Sequence, residues 1–324
     1  MKLSRRRFLH VTAGAAAAPI LPRPSFALDY PTRPVRIIVG FPAGNASDII
    51  ARLIAQSLSQ RLGQQFIVEN RPGAAGNTGT EAVVRAAPDG YTLLMEVVTS
   101  NTINATLYPN LNFNFVRDIA PVASIGSGPY VMVVNPAVPA GSLAEFIAYA
   151  KANPGKINMA SAGIGTGTHV VGEMFKMRAG VDLLHVPYRG SFIADLLGGQ
   201  MQVVFGPTLQ LIEYVRTGKL RALAVTSATR QLVLPDIPTV GEFLPGFEAS
   251  IWYGFGAPRN TPAEIIDRLN HEINASLADP RMKAQLADLG DAVLSGSPAD
   301  FGKLIAQDIE KWGKVIRTAN IKLE

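Results

Sequence analysis

Between Val35 and Leu94 the chain twice runs from a short apolar strand through a glycine-rich turn into a helix. The first unit is Val35-Arg36-Ile37-Ile38-Val39, then Gly40-Phe41-Pro42-Ala43-Gly44-Asn45-Ala46-Ser47-Asp48, then a helix. The second runs from Phe66-Ile67-Val68-Glu69-Asn70 through Arg71-Pro72-Gly73-Ala74-Ala75-Gly76-Asn77-Thr78-Gly79-Thr80 into Glu81-Ala82-Val83-Val84. A third turn of the same kind, Ser161-Ala162-Gly163-Ile164-Gly165-Thr166-Gly167-Thr168-His169, lies far downstream. Strands joined through helices must lie parallel, so this pattern dictates an α/β architecture with largely parallel sheets. Each helix start also carries N–H groups without helical partners and a partial positive charge, and glycines let an anion approach them. These turns predict a protein that grips a small anion.

The rest of the chain continues the alternation. Ile50, Ile54, Leu58 and Leu62 recur every four residues, predicting a helix over 48–62 that stops at Gly63. Ser142 with Glu145 marks a capping box before a helix over 143–152, and Thr261-Pro262-Ala263-Glu264 repeats the signature for a helix running to about residue 277. The last helix starts at Ser297-Pro298 and carries Phe301, Leu304, Ile305, Ile309, Trp312, Val315, Ile316 and Ala319 on one stripe. Strands are expected at 93–98, 130–134, 157–160, 184–187, 202–205 and 220–226. Ile125-Gly126-Ser127-Gly128-Pro129 and Ser250-Ile251-Trp252-Tyr253-Gly254-Phe255-Gly256 are candidate crossovers between two lobes. A double crossover makes a hinge, and the gap between lobes is a natural place for a ligand. The expected organisation is a signal over 1–27, a first domain of 28–127 plus 252–324, and a second domain of 128–251.

The N-terminus reads Ser4-Arg5-Arg6-Arg7-Phe8, then a short apolar run to Leu21, then Ser25-Phe26-Ala27. That is a secretory signal of the twin-arginine type, with cleavage expected near Ala27 and the periplasm as destination. The apolar run falls short of the roughly 20 residues that span a bilayer. Thirty basic residues face 25 acidic ones in the whole chain. Lys2, Arg5, Arg6, Arg7 and Arg23 fall in the signal with no acid, so the remainder is formally neutral. Neutrality gives no footing for nucleic-acid binding. The chain has no cysteine, which excludes disulfides and thiolate metal sites.

Nucleophile-elbow, phosphate-loop, dinucleotide-binding and zinc-protease motifs are absent. His169, His185 and His271 fall on different expected elements, so neither a metal site nor any other cofactor is expected. His185 suits a core strand, His271 a helix surface, and His169 a helix start at the edge of the site. Ser47 and Asp48 suit helix caps, with Asp48 purely structural because it would repel an anion. Arg71 and Arg189 suit either a carboxylate partner or a loop-fixing ion pair. Phe41 and Tyr188 offer apolar contact.

Taken in order, several motifs make the chain resemble the Bug or TctC family, the periplasmic binding proteins of tripartite tricarboxylate transporters. The resemblance rests on Tyr30-Pro31-Thr32-Arg33-Pro34-Val35, Val68-Glu69-Asn70-Arg71-Pro72-Gly73-Ala74, Pro88-Asp89-Gly90-Tyr91-Thr92-Leu93, His185-Val186-Pro187-Tyr188-Arg189-Gly190, Leu196-Leu197-Gly198-Gly199-Gln200, Gly218-Lys219-Leu220-Arg221-Ala222-Leu223-Ala224-Val225-Thr226 and Pro235-Asp236-Ile237-Pro238-Thr239-Val240. It implies a two-lobed binding protein of the type II kind, not an enzyme. Such a protein is a monomer that closes on a small carboxylate, a di- or tricarboxylate or an aromatic acid, and delivers it to membrane transporter subunits. A receptor that reports to a membrane signalling protein would share the same soluble chemistry.

The resemblance also places ligand contacts. They fall in the loop holding Phe41, Ala43, Gly44, Asn45 and Ser47, and in the loop holding Gly163, Gly165, Thr166, Gly167, Thr168 and His169. Ala74 and Thr99-Ser100-Asn101 line the same cleft, and Tyr188, Arg189 and Glu96 are further candidates. Three positions depart from the family pattern: Asn45 stands for a glycine, Glu96 for a small residue, and Gly206 for an acid that meets an amino group. Gly206 therefore suggests a ligand without an α-ammonium group, unless Glu96 replaces the missing acid.

Overall fold

The computed structural model describes residues 29–108, 110–318 and 321–322, and the backbone alone at residues 98 and 99. The expected signal over 1–27, the Thr99 side chain and Ala319 lie outside the described residues. In chain order the elements are β1 (Val35–Val39), α1 (Ala46–Leu62), β2 (Phe66–Asn70), a 3-10 turn (Ala74–Gly76), α2 (Asn77–Val84), β3 (Thr92–Val97), α3 (Val98–Leu107) and α4 (Phe115–Asp118). The long β4 (Ile119–Val134) follows, then α5 (Leu143–Ala152), β5 (Asn158–Ser161), α6 (Gly167–Ala179), β6 (Leu184–Pro187), α7 (Ile193–Leu197), β7 (Val203–Pro207), α8 (Thr208–Arg216) and β8 (Arg221–Val225). The chain ends in β9 (Ser250–Pro258), α9 (Ala263–Ala278), α10 (Pro280–Asp288), β10 (Ala292–Val293) and α11 (Pro298–Thr318).

Two parallel trios carry the architecture: β1 lies between β2 and β3, and β5 lies between β6 and β7. Joining them is an antiparallel seam. Over 119–129 β4 pairs with β9, which also pairs with β3. From Tyr130 onward β4 pairs instead with β7 and β8. The second crossing starts where the Ala249 N–H donates to Thr226 O at 3.0 Å and Thr226 Oγ1 donates to Ala249 O at 2.7 Å. Both crossovers therefore fall where glycines and a proline interrupt apolar runs, and both are extended strands. The sheets are mixed: parallel within each trio, antiparallel along the seam.

Side-chain alternation along these strands covers both faces of each sheet. On one face of the first sheet Ile37 and Val39 meet Ile50, Ile54 and Leu58 of α1; on the other, Ile38 and Leu94 meet Val83 of α2 and Phe301 and Ile305 of α11. In the second sheet Met132 and Val134 face Phe146 of α5 and Phe175 of α6, whereas Val131 and Val133 face Leu196 of α7 and Leu211 and Ile212 of α8. This is a two-lobed, doubly wound α/β fold.

Helix starts differ in detail from the sequence expectation. Asn45, not Ser47 or Asp48, caps α1, its side chain accepting the Ser47 N–H at 3.1 Å. Ser142 caps α5 as expected, but Glu145 returns to the Gly141 N–H at 2.6 Å instead of closing the box on Ser142. Thr261 caps nothing: its hydroxyl donates to Pro258 O at 2.7 Å, and α9 starts after Pro262 without a side-chain cap.

Candidate functional site

In open α/β sheets, ligands sit beyond the carboxyl ends of the strands. The register aligns Val39 with Asn70 in the first trio and Ser161 with Pro187 in the second, so the turns after β1 and β2 lie side by side, as do those after β5 and β6. All four turns face one cavity of about 550 Å³ between the lobes. Phe41 and Pro42, then residues 72–76, form one wall; residues 162–164 and 187–189 form the other, and Tyr108 closes one side.

The first turn is held from behind. The Asp48 carboxylate accepts the Gly44 N–H at 2.9 Å, Arg52 Nε at 3.0 Å, Arg52 Nη2 at 2.9 Å and Asn70 Nδ2 at 2.9 Å. Burial alone would raise its pKa, but the hydrogen bonds from Arg52, Gly44 and Asn70 outweigh it and hold the carboxyl below its usual range. Asn70 Nδ2 also donates to Phe41 O at 3.0 Å. The structural role expected for Asp48 is the observed one.

In the second turn Ala74 (φ 45°) and Ala75 (φ 55°) occupy the left-handed region. This costs an alanine roughly 1–2 kcal/mol, and strained backbone of this kind concentrates at functional sites. Asn104 holds the pair in place, Nδ2 donating to Ala75 O and to Asn77 Oδ1, both at 3.1 Å. Arg71 is bound to Glu69 at 2.7 Å on the surface, its loop-fixing alternative.

The third turn spends most of its polarity on itself. The Ala162 N–H donates to Thr168 Oγ1 at 2.9 Å, Gly163 N–H to Ser161 Oγ at 3.2 Å, and Gly165 N–H to His169 Nδ1 at 3.3 Å. The Thr166 hydroxyl donates to Gly163 O at 2.7 Å. His169 stacks on His185 with ring centroids 4.1 Å apart, and His185 Nε2 pairs with Ser161 Oγ at 2.7 Å. Burial above all pushes both imidazoles down to about 4, with Lys176 adding to it for His169 and His169 and Lys176 for His185. They are neutral near pH 7. Among the described residues, the N–H groups of Ala74, Ala75 and Ile164 have no hydrogen-bond partner, and all three residues line the cavity.

Of the residues expected to contact a ligand, Phe41, Ala74, Gly163, Tyr188 and Arg189 line the cavity. Arg189 is its one charged lining side chain among the described residues, whereas the Tyr188 hydroxyl donates to Asp195. Ala43 and Gly44 are exposed in the first turn but do not line it. The other candidates do not line this cavity. Asn45 and Ser47 bond each other, and Thr166, Thr168 and His169 hold their own turn from within. Gly165 packs against Asn104 and Tyr108, and Gly167 is the buried first residue of α6. Ser100 is buried, and Asn101 lines a different cavity together with Asn77.

Glu96 is fully buried on the α11 side of the first sheet, lining a separate cavity of about 40 Å³ with Phe115, Ile119 and Ile305. Neither of its oxygens has a partner among the described residues, and burial raises its pKa to about 8. A Cβ at position 206 would meet the end of the Leu211 side chain and lie near Phe192, so Gly206 packs within the second lobe. Sequence reading missed Tyr108, Ala75 and Ile164. The last two lie inside turns already singled out; Tyr108 carries no local signal. Among the described residues, no group of three or more His, Asp or Glu side chains is placed to hold a metal ion.

A family model described as the tripartite tricarboxylate transporter family receptor, TctC, matches residues 50–321. Protein BugT of Bordetella pertussis is 36% identical over 317 residues, spanning 97% of this chain and 95% of the relative. The structure of R. palustris Rpa4515 with adipate superposes with a TM-score of 0.88 at 33% identity, covering 90% of this chain and 99% of that one. MatC (Rpa3494) from Rhodopseudomonas palustris with bound malate gives a TM-score of 0.84 at 30% identity, covering 89% of this chain and 100% of the other.

Proposed function

Because the chain belongs to the tripartite tricarboxylate transporter receptor family, we propose that it is an extracytoplasmic solute-binding protein that captures a small carboxylate between its lobes for delivery to the transporter's membrane subunits. One observation carries this reading: turns from both lobes bring the N–H groups of Ala74, Ala75 and Ile164 and the Arg189 guanidinium to a single cavity. N–H donors in a shielded gap suit carboxylate oxygens, and Phe41 and the Tyr188 ring suit an apolar body. Adipate and malate, bound by the two similar structures, are acids of this kind.

The domain boundaries that go with the reading are 28–127 plus 252–324 and 128–251, supported by the change of partners along β4 near Tyr130. The protein acts as a periplasmic monomer released from its signal near Ala27. It binds without transforming: the two histidines beside the cavity hold a turn and present no base to it.

Native mass spectrometry of freshly purified protein, followed by calorimetry with the acid found and with adipate and malate, tests the proposal. Binding with a micromolar dissociation constant is expected, weakened about tenfold or more in Arg189→Ala, since a hydrogen bond to a charged group contributes about 1.5–3 kcal/mol. Absence of a co-purifying acid together with no heat from either titrant contradicts it.

A further inference from the structure

We infer that Tyr108 is a positioning residue that clasps the two lobes together across the cleft mouth. It follows α3, which is fixed to the first lobe: Thr102 Oγ1 donates to Asp308 Oδ2 of α11 at 3.0 Å, and Asn104 holds the Ala75 turn. From there the Tyr108 hydroxyl reaches across and donates to Ile164 O in the second lobe at 2.9 Å. Arg216 Nη2 also donates across the lobes, to Asp288 O at 2.9 Å. That bond ties α8 to the end of α10, whose neighbour β10 pairs with β4 at the crossing. The Tyr108 contact lies on the cavity side and must break when the lobes part.

Gly165 makes the approach possible. A Cβ there would sit 2.7 Å from Asn104 Oδ1 and 2.8 Å from Tyr108 Cε2, so α3 and the third turn meet only because that position has no side chain. The clasp also joins two ligand-facing turns, since Asn104 and Tyr108 touch Ala75 on one side and Ile164 and Gly165 on the other. Closing the lobes and setting the distance between the opposed N–H groups are then one event. The inference adds to the binding-protein reading, on which its consequence for affinity rests, but the clasp itself is measurable without a ligand.

The chain has no cysteine, so a pair introduced as Gln65→Cys and Asp182→Cys, beside the outer strands β2 and β6, takes spin labels at those two sites alone. Dipolar spectroscopy on the ligand-free protein and with saturating adipate reports the distribution of lobe separations. Tyr108→Phe is expected to lower the ratio of closed to open forms about two- to tenfold, the range of one neutral hydrogen bond. Adipate should then dissociate faster by a similar factor with little change in association rate. Gly165→Ala, which keeps the hydroxyl but wedges the contact, should shift the distribution in the same direction. Tyr30→Phe is the control, because that hydroxyl donates to Gly90 O within its own lobe, away from the cavity. An unchanged distribution in Tyr108→Phe, an equal shift in Tyr30→Phe, or a wild type with no closed component overturns the assignment. Failure to bind adipate with the distance shift intact would count against the ligand class and leave the clasp standing.

Discussion

A Cβ at Gly40, just after β1, would sit 2.8 Å from the Gly76 Cα, and one at Gly79 would sit 2.8 Å from the Gly40 Cα. The first and second turns therefore touch backbone to backbone, and this contact sets one wall of the cavity. Gly40→Ala should destabilise the protein by about 1–3 kcal/mol through forced backbone shifts, read as a lower urea midpoint with an unchanged slope. At this scale the sequence is legible where a residue type acts on its own neighbours. Asp48 at a helix start reads as structural because a carboxylate there bonds local N–H groups and would repel an anion. Which neighbour does the capping is less legible, since Asn45, Ser47 and Asp48 are all competent and only the backbone path, with Asn45 extended, selects the first. Tyr108 was not legible at all. Its role depends on a carbonyl 56 residues away in the other lobe.

Among the elements, β3 shows how a fully buried strand hides its sides. All six of its residues are buried, so alternation of polarity cannot say whether Glu96 faces the cleft or the opposite layer, and packing sends it beneath α11. The parallel trios were legible from strand, glycine turn and helix in succession; the antiparallel seam was not, because its main pairing, β4 with β9, joins residues more than 100 positions apart. Two buried sites give the fold opposite pH dependences. His169 and His185 titrate near 4 in the fold against about 6.5 when unfolded. The stability of their neutral forms is present above about 6.5 and lost as pH falls through 4. Glu96 titrates near 8 against 4.5, so its contribution is present below 4.5 and lost as pH rises through 8. Urea midpoints should thus decline on both sides of a maximum near neutrality. Glu96→Gln should flatten the alkaline limb by roughly 1–3 kcal/mol at pH 9. His169→Gln, which keeps an acceptor for the Gly165 N–H, should reduce the acidic one. A wild type with flat midpoints from pH 4 to 9 contradicts both assignments.

Across the whole molecule, the proposed function makes binding a property of the space between lobes. Each lobe alone presents two turns with their amides facing solvent; β4 and β9 bring the two sets together, and closure shields them from water. Shielding strengthens each hydrogen bond to an anion and removes the need for a cluster of cationic side chains. The two-lobe plan and three of the cavity's four turns followed from the glycine-rich turns and the crossover glycines. That the hydroxyls and imidazole of the third turn bond within their own turn was not legible, since the same groups are equally able to meet a ligand. A crystal structure of the protein with its co-purifying acid, or with adipate, tests this directly. Carboxylate oxygens should lie within hydrogen-bond distance of the Ala74 or Ala75 N–H on one side and of the Ile164 N–H or Arg189 on the other. An acid held by one lobe alone, or seated outside the cavity between Phe41 and Tyr188, contradicts it.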